Sequence, residues 1–167
     1  IGKRTIRPDG ADKVTGRAQY GADFTASGLI YGSILRSPHA HARIKSIDTR
    51  KVEAYPGVLA VVTAKDFPRI EGSSDQYVQL GELSTNLRYL RDNILASEKA
   101  LYKGHPVAAI ASANAHVAKE ALDLIEVEYE ILPPVLTPPE AMAEGASILH
   151  DHLRTEEFGE NLDKVSN

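Results

Sequence analysis

The sequence predicts an α+β domain, on three observations. Residues 126–131, EVEYEI, alternate strictly between charged and apolar, the pattern of a strand with one face on a core. Residues 58–62, VLAVV, make a short β-branched apolar run, which reads as a strand buried on both faces. Residues 115–125 place Ala118, Ala121, Leu122 and Ile125 along one face at helical spacing.

In chain order, residues 8–28 carry Gly10, Gly16, Gly21 and Gly28 among polar residues, a turn-rich stretch without a regular element. Residues 29–36 read as a buried strand filled by Ile30, Ile34 and Leu35, and Ser37-Pro38 interrupts it, because proline lacks the donor a ladder needs. Residues 42–47 read as a second strand with Ala42, Ile44 and Ser46 opposite Arg43, Lys45 and Ile47. Asp48 is placed to cap a short helix reaching Tyr55, and Pro56-Gly57 stops it. After the 58–62 strand, Thr63 and Asp66 have the spacing of a capping box around one helical turn.

Residues 68–96 are ambiguous. Leu80, Leu83, Leu87, Leu90 and Ile94 fall at helical spacing, whereas Gly81, Ser84, Thr85 and Asn86 oppose a long helix. The expectation is an irregular loop pinned by leucines, with a helical turn over residues 86–91. Residues 106–112, PVAAIAS, are a strand of small residues suited to close packing under a helix. Asn114 caps the 115–125 helix, which turns His116, Lys119, Glu120 and Asp123 outward, with Lys119 and Asp123 four apart. Val127, Tyr129 and Ile131 then point inward from the next strand, Pro133-Pro134 ends it, and a short helix follows over 139–143. The last third is thus a strand-helix-strand unit, with a right-handed crossover if its strands are parallel.

Composition narrows the class. A chain of 167 residues, 43% hydrophobic and 25% charged, suits one folded domain. Lys and Arg number 19 against 23 Asp and Glu, for a formal charge of −4, so the broad positive field that a nucleic acid needs is missing. With no cysteine, the sequence offers no disulfide, thiolate nucleophile or cysteine-held cluster. The basic start has no apolar run behind it, so neither a signal peptide nor a membrane span is expected there. It begins at Ile1 and ends in a polar tail, and is expected to be a piece of a longer polypeptide.

Few residues suggest chemistry. His39 and His41 share a strand-like spacing, repeated by His150 and His152, and a catalytic zinc site needs three such ligands brought together. Pro38 and the tail place both pairs at element boundaries, where surface histidines are the ordinary outcome. His105, between Gly104 and Pro106, fits a turn or interface residue and has no serine or second base to form a triad. Glu126, Glu128 and Glu130 form a solvated face, and no glycine-rich phosphate cradle is found. Arg36 and Arg43 flank the histidine pair and could grip an anion together; lining a surface or domain contact is their commoner use.

Five blocks in order carry a resemblance. Residues 12–24 read DKVTGRAQYGADF and residues 28–48 GLIYGSILRSPHAHARIKSID; residues 56–67 read PGVLAVVTAKDF. Residues 102–111, YKGHPVAAIA, and 120–135, EALDLIEVEYEILPPV, complete the series. The sequence resembles the first domain of the molybdenum-binding large subunit in the xanthine dehydrogenase and aldehyde oxidase family. That resemblance implies an α/β-hammerhead, a mixed sheet packed by two main helices, over residues 28–152. Residues 1–27 would lead into it, and 153–167 would link to later molybdopterin-binding domains.

In that family the molybdopterin and the glutamate base lie in those later domains. There a metal-bound hydroxide attacks an electron-poor carbon, and hydride passes to the metal's sulfido ligand. Iron–sulfur clusters and often FAD, on other domains or subunits, take the electrons. No catalytic, cofactor-binding or metal-binding residue carries over to this sequence. The resemblance therefore implies a non-catalytic structural domain of a cytoplasmic enzyme that hydroxylates an aldehyde, purine or N-heteroaromatic compound. Its partners would be the downstream molybdopterin domains and the iron–sulfur and flavin subunits. Arg36, His39, His41, Arg43 and His105 are the candidate interdomain surface. The alternatives are a small histidine-based metal-binding domain, a protein-interaction module, or a biotinyl-type carrier, the last opposed by Met142 having no lysine beside it.

Overall fold

The computed structural model describes residues 2, 4–68, 77–80, 83–151, 154–157 and 160–165. Helix α1 (Gly10–Val14) buries nothing and precedes strands β1 (Tyr31–Arg36) and β2 (Ala42–Asp48). Helix α2 (Arg50–Glu53), strand β3 (Val58–Thr63), strands β4 (Tyr77–Leu80) and β5 (Leu83–Asn86), and helix α3 (Leu87–Ile94) follow. The remainder is β6 (Lys99–Ala100), β7 (Pro106–Ser112), α4 (Ala115–Leu122), β8 (Glu126–Ile131), α5 (Pro138–Met142), β9 (Arg154–Glu157) and β10 (Glu160–Val165).

The strands form two three-stranded sheets, β1-β7-β3 and β6-β2-β8, with β4-β5 and β9-β10 as separate hairpins. Every pairing among the described strands is antiparallel. The expected mixed sheet is therefore two antiparallel ones. The cause lies in β7: β1 and β3 occupy both its edges, so β8 finds no place beside it and pairs with β2. The strand-helix-strand unit exists, but its strands lie in different sheets and the crossover rule has nothing to act on.

One core joins the layers. Val52, Ala108, Ile110, Ala118, Ala121 and Ile125 are buried together, with Leu35, Val58 and Val61 from the first sheet and Ile47 and Val127 from the second packed around them. The small residues of β7 and α4 let helix and sheet approach closely, as the sequence predicts. Ile47 reaches this core against the expected alternation, because a bulge at Lys45 pairs Ile44 with Tyr129 but Ser46 with Glu128 and Ile47 with Val127.

Local signals are realised at the helix starts. Asn114 Oδ1 accepts from the N–H groups of His116 (3.0 Å) and Val117 (2.9 Å). Thr63 and Asp66 form the expected box around the 3-10 turn Ala64–Asp66, with Thr63 N donating to Asp66 Oδ2 at 2.7 Å. Asp48 caps one residue ahead of Thr49, accepting from Arg50 N at 3.1 Å. Gly57 holds a φ of +89°, and a Cβ there would stand 3.3 Å from Val117 Cγ1. On the outer face of α4 the four-apart pair is His116 with Glu120, at 3.1 Å.

Elsewhere the structure departs from expectation. Ile34 is 45% exposed and Leu59 60%, so β1 and β3 have only one covered face. Ile30, just before β1, and Ile131, the last residue of β8, are likewise exposed. Helix α3 runs past the expected turn to Ile94, capped by Asn86, whose Oδ1 accepts from Tyr89 N at 2.9 Å. Leu90 and Ile94 are half exposed, Gly81 lies outside the described residues, and the β4-β5 hairpin stands where an irregular loop was expected. The hairpin β9-β10 falls where a linker was expected. Among the described residues no helix is long and apolar enough to cross a membrane.

Candidate functional site

Residues 36–43 form the corner between the two sheets, running from the last residue of β1 to the start of β2. Ser37, 2% exposed, fixes the corner: its N–H donates to His105 O (2.9 Å) and its carbonyl accepts from Gly104 N (2.8 Å). The Ser37 hydroxyl accepts from His39 N at 3.1 Å and lies within reach of the His39 carbonyl and the Tyr129 phenol. Gly104 holds a φ of +91°, which turns its carbonyl toward Arg36 Nη1 at 2.9 Å.

The five candidate residues have different fates. His39 is half-buried, its ring edge-on to Tyr129 at 5.0 Å and 73°. His41 is buried; Nδ1 donates to Pro133 O at 2.8 Å, while Leu132 N donates to the His41 carbonyl at 3.0 Å. A carbonyl can only accept, so the proton of the neutral ring sits on Nδ1. Nε2 carries the lone pair, buried and without a hydrogen-bond partner among the described residues.

His105 is fully buried. Its Nδ1 accepts from Leu101 N at 3.1 Å, so Nε2 holds the proton and donates to Asp92 O at 2.9 Å. The ring stacks on Tyr102 at 4.4 Å and 16°. Burial pushes its pKa below the ordinary histidine range, and the phenol of Tyr129 is pushed up by the same cause.

Arg36 and Arg43 do not converge on one anion. Arg36 is engaged with Gly104, and Arg43 Nε faces Glu130 Oε2 across the β2-β8 ladder at 3.6 Å. Neither is buried, and both present guanidinium edges to solvent. Burial takes His105 out of any presented surface, and makes His41 an inward-facing member of the corner. The surface expected for these two histidines is corrected by long-range contacts that their own neighbours in sequence do not show.

The corner offers no acid–base pair over a cleft. An apolar groove of about 270 Å³ lies elsewhere, between Phe67, Pro68, Leu87, Leu90, Arg91 and Ile94. A cleft of about 100 Å³ is lined by Tyr89, Asp92, Asn93, Leu101, Tyr102 and His150. Among the described residues no three His, Cys, Asp or Glu side chains could hold an ion. His152 lies outside the described residues. Sequence reasoning missed Ser37, Gly104 and Asp92 as partners of the corner, and Tyr129 as its cover. Tyr129 was legible as inward-facing, but its place over His39 follows only from the β2-β8 register.

Comparison with known proteins adds a second line. Residues 15–133 match the family described as aldehyde oxidase and xanthine dehydrogenase, a/b hammerhead domain. The carbon monoxide dehydrogenase large chain of Afipia carboxidovorans is 36% identical over 150 residues, covering 86% of this chain and 17% of its own length. The xanthine dehydrogenase molybdenum-binding subunit of Escherichia coli O157:H7 is 34% identical, over 87% of this chain and 19% of its own. The crystal structure of quinoline 2-oxidoreductase from Pseudomonas putida 86 superposes with a TM-score of 0.72 at 34% identity, over 92% of this chain and 19% of that one. The chain thus spans less than a fifth of these relatives.

Proposed function

Because the chain belongs to the aldehyde oxidase and xanthine dehydrogenase family, as a hammerhead domain of molybdenum hydroxylase large subunits, we propose that it serves there as a non-catalytic structural part. The observation that carries this reading is the commitment of the corner's polar groups to the chain's own backbone. Arg36, Ser37, His41 and His105 all hold carbonyls or N–H groups of the chain's own backbone.

The residues present do not fit a molybdenum cofactor. His105 has both ring nitrogens engaged, His41 Nε2 is sealed from solvent, and no ion-holding trio exists among the described residues. Molybdopterin would be bound by other parts of the whole enzyme, with iron–sulfur clusters and FAD further along the electron path. The whole enzyme would hydroxylate an aldehyde, a purine or an N-heteroaromatic compound in the cytoplasm. This part would supply a rigid corner whose exposed Arg36, His39 and Arg43 dock onto neighbouring domains, backed from inside by His41 and His105.

Arg36→Ala and His39→Ala in the full-length enzyme test this role. Molybdenum content and the assembled fraction are expected to drop, while the melting temperature of the domain's own unfolding changes little. Unchanged assembly and activity in both variants would overturn the docking role.

A further inference from the structure

The sheet β1-β7-β3 has one face on α4, and among the described residues the other face is only partly covered, with Gly32, Ile34 and Ala60 exposed. Residues directly opposite across antiparallel strands share a face, so the register defines two rungs on the open side. One is Gly32–Ala111–Ala60 and the next is Ile34–Ala109–Val62. Neither contains a charge, a hydroxyl or an amide. A sheet that keeps one face in water normally turns polar side chains outward. The chain does this in its other sheet, where Glu126, Glu128 and Glu130 alternate with Val127 and Tyr129. β3 reads as a strand buried on both faces, yet on its second face Ala60 is exposed and Val62 only partly buried.

Gly32 sharpens the point. Its φ lies outside the left-handed region, and a Cβ added there would meet only Ile110 O, at an unstrained 3.8 Å. Nothing among the described residues requires a glycine at this position, and glycine weakens a strand interior. Such a residue marks where a second backbone approaches closely. The rung with Ile34 and Val62 stands beside the flat Gly32–Ala111–Ala60 rung as a shoulder. Val107, on the same side of β7, is fully buried, so the face is already covered at its Pro106 end and continues open from Ala109.

We propose that this face seats an uncharged, apolar segment of the large-subunit polypeptide lying beyond the length described here. This rests on the reading above of the chain as one part of a large subunit. The chemistry of the face admits no charged partner, and relatives that match most of this chain contain about five times its length. That length supplies a covalently tethered partner, at high effective concentration.

Hydroxyl-radical footprinting of the natural full-length gene product tests the proposal, with Gly32→Lys and Ala60→Lys variants beside it. Ile34 and Val62 are expected to label several-fold less in the wild-type full-length protein than the same residues do in either lysine variant. Both lysine variants should restore that labelling and lower the assembled fraction, with exposed Lys119→Glu unchanged. Free labelling of Ile34 and Val62 in an otherwise assembled wild-type enzyme would sink this inference and leave the structural role standing. Protection that disappears on dilution to a monomer would assign the face to a second copy instead, and overturn it. A natural reading frame that ends with this chain would remove both.

Discussion

His105 ties two segments together by its ring and backbone: the 92–105 stretch through Asp92 O and Leu101 N, and the β1–β2 corner through Ser37 N. Its ring is useful only when neutral. A second proton would set an Nδ1–H against the Leu101 N–H, donor facing donor, in a site without water access. The folded pKa is therefore depressed below the ordinary value of 6.5, chiefly by burial. The sign follows from linkage: the unfolded chain binds the proton more readily. Stability from this residue is complete above about pH 6.5 and falls as pH drops toward the lower folded value. Urea midpoints should decline from about pH 7.5 to about pH 5.5, and decline less in His105→Gln, which cannot gain a charge. Equal declines in both proteins would mean that His105 is not the titrating group.

At the scale of elements, α4 shows how far local sequence reaches. It is two turns long, too short to persist without help, and Asn114 satisfies two of its free N–H groups. Asn114→Ala should cost about 1 kcal/mol in urea unfolding, because alanine leaves those donors unsatisfied at the helix start. A change within error would show that packing of Ala118 and Ala121 fixes the helix unaided. Caps of this kind were legible because cap and capped groups lie within three residues of each other, as at Thr63–Asp66. The family blocks and the strands β2, β7 and β8 were legible for a similar reason, since pattern and element coincide. Pairing was not. Nothing local in ARIKSID announces the bulge at Lys45 that turns Ile47 to the core. Nothing beside Gly104 announces that His105 is buried, because its partners include Asp92, thirteen residues away. The candidate corner was found by its motif, and its interior wiring became visible only once β1, β7 and β8 were in place.

For the whole molecule, the decisive fact is that two sheets with no shared ladder share one core. Leu35, Val58 and Val61 come from the first sheet, Ile47 and Val127 from the second, and all pack on the cluster that contains Ile110. No hydrogen-bonded rung joins the β1-β7-β3 and β6-β2-β8 sheets, so their coupling is carried by apolar contact and by the corner of residues 36–43. If that coupling is strong, neither sheet has a stable existence without the other. Ile110 lies 3% exposed on the helix-facing side of β7, and Ile110→Ala should cost about 3 kcal/mol through lost transfer energy and the space left behind. The loss should appear equally in both sheets. The fluorine resonance of a 3-fluorotyrosine placed at Tyr129, on β8, reports the second sheet, and the far-ultraviolet dichroism reports all strands together. In wild type and variant alike the two urea transitions should coincide, and both should shift by the same amount. A tyrosine transition that stayed in place while the far-ultraviolet one moved would show two separately folding units. The domain would then be held together by covalent connection rather than by its common core.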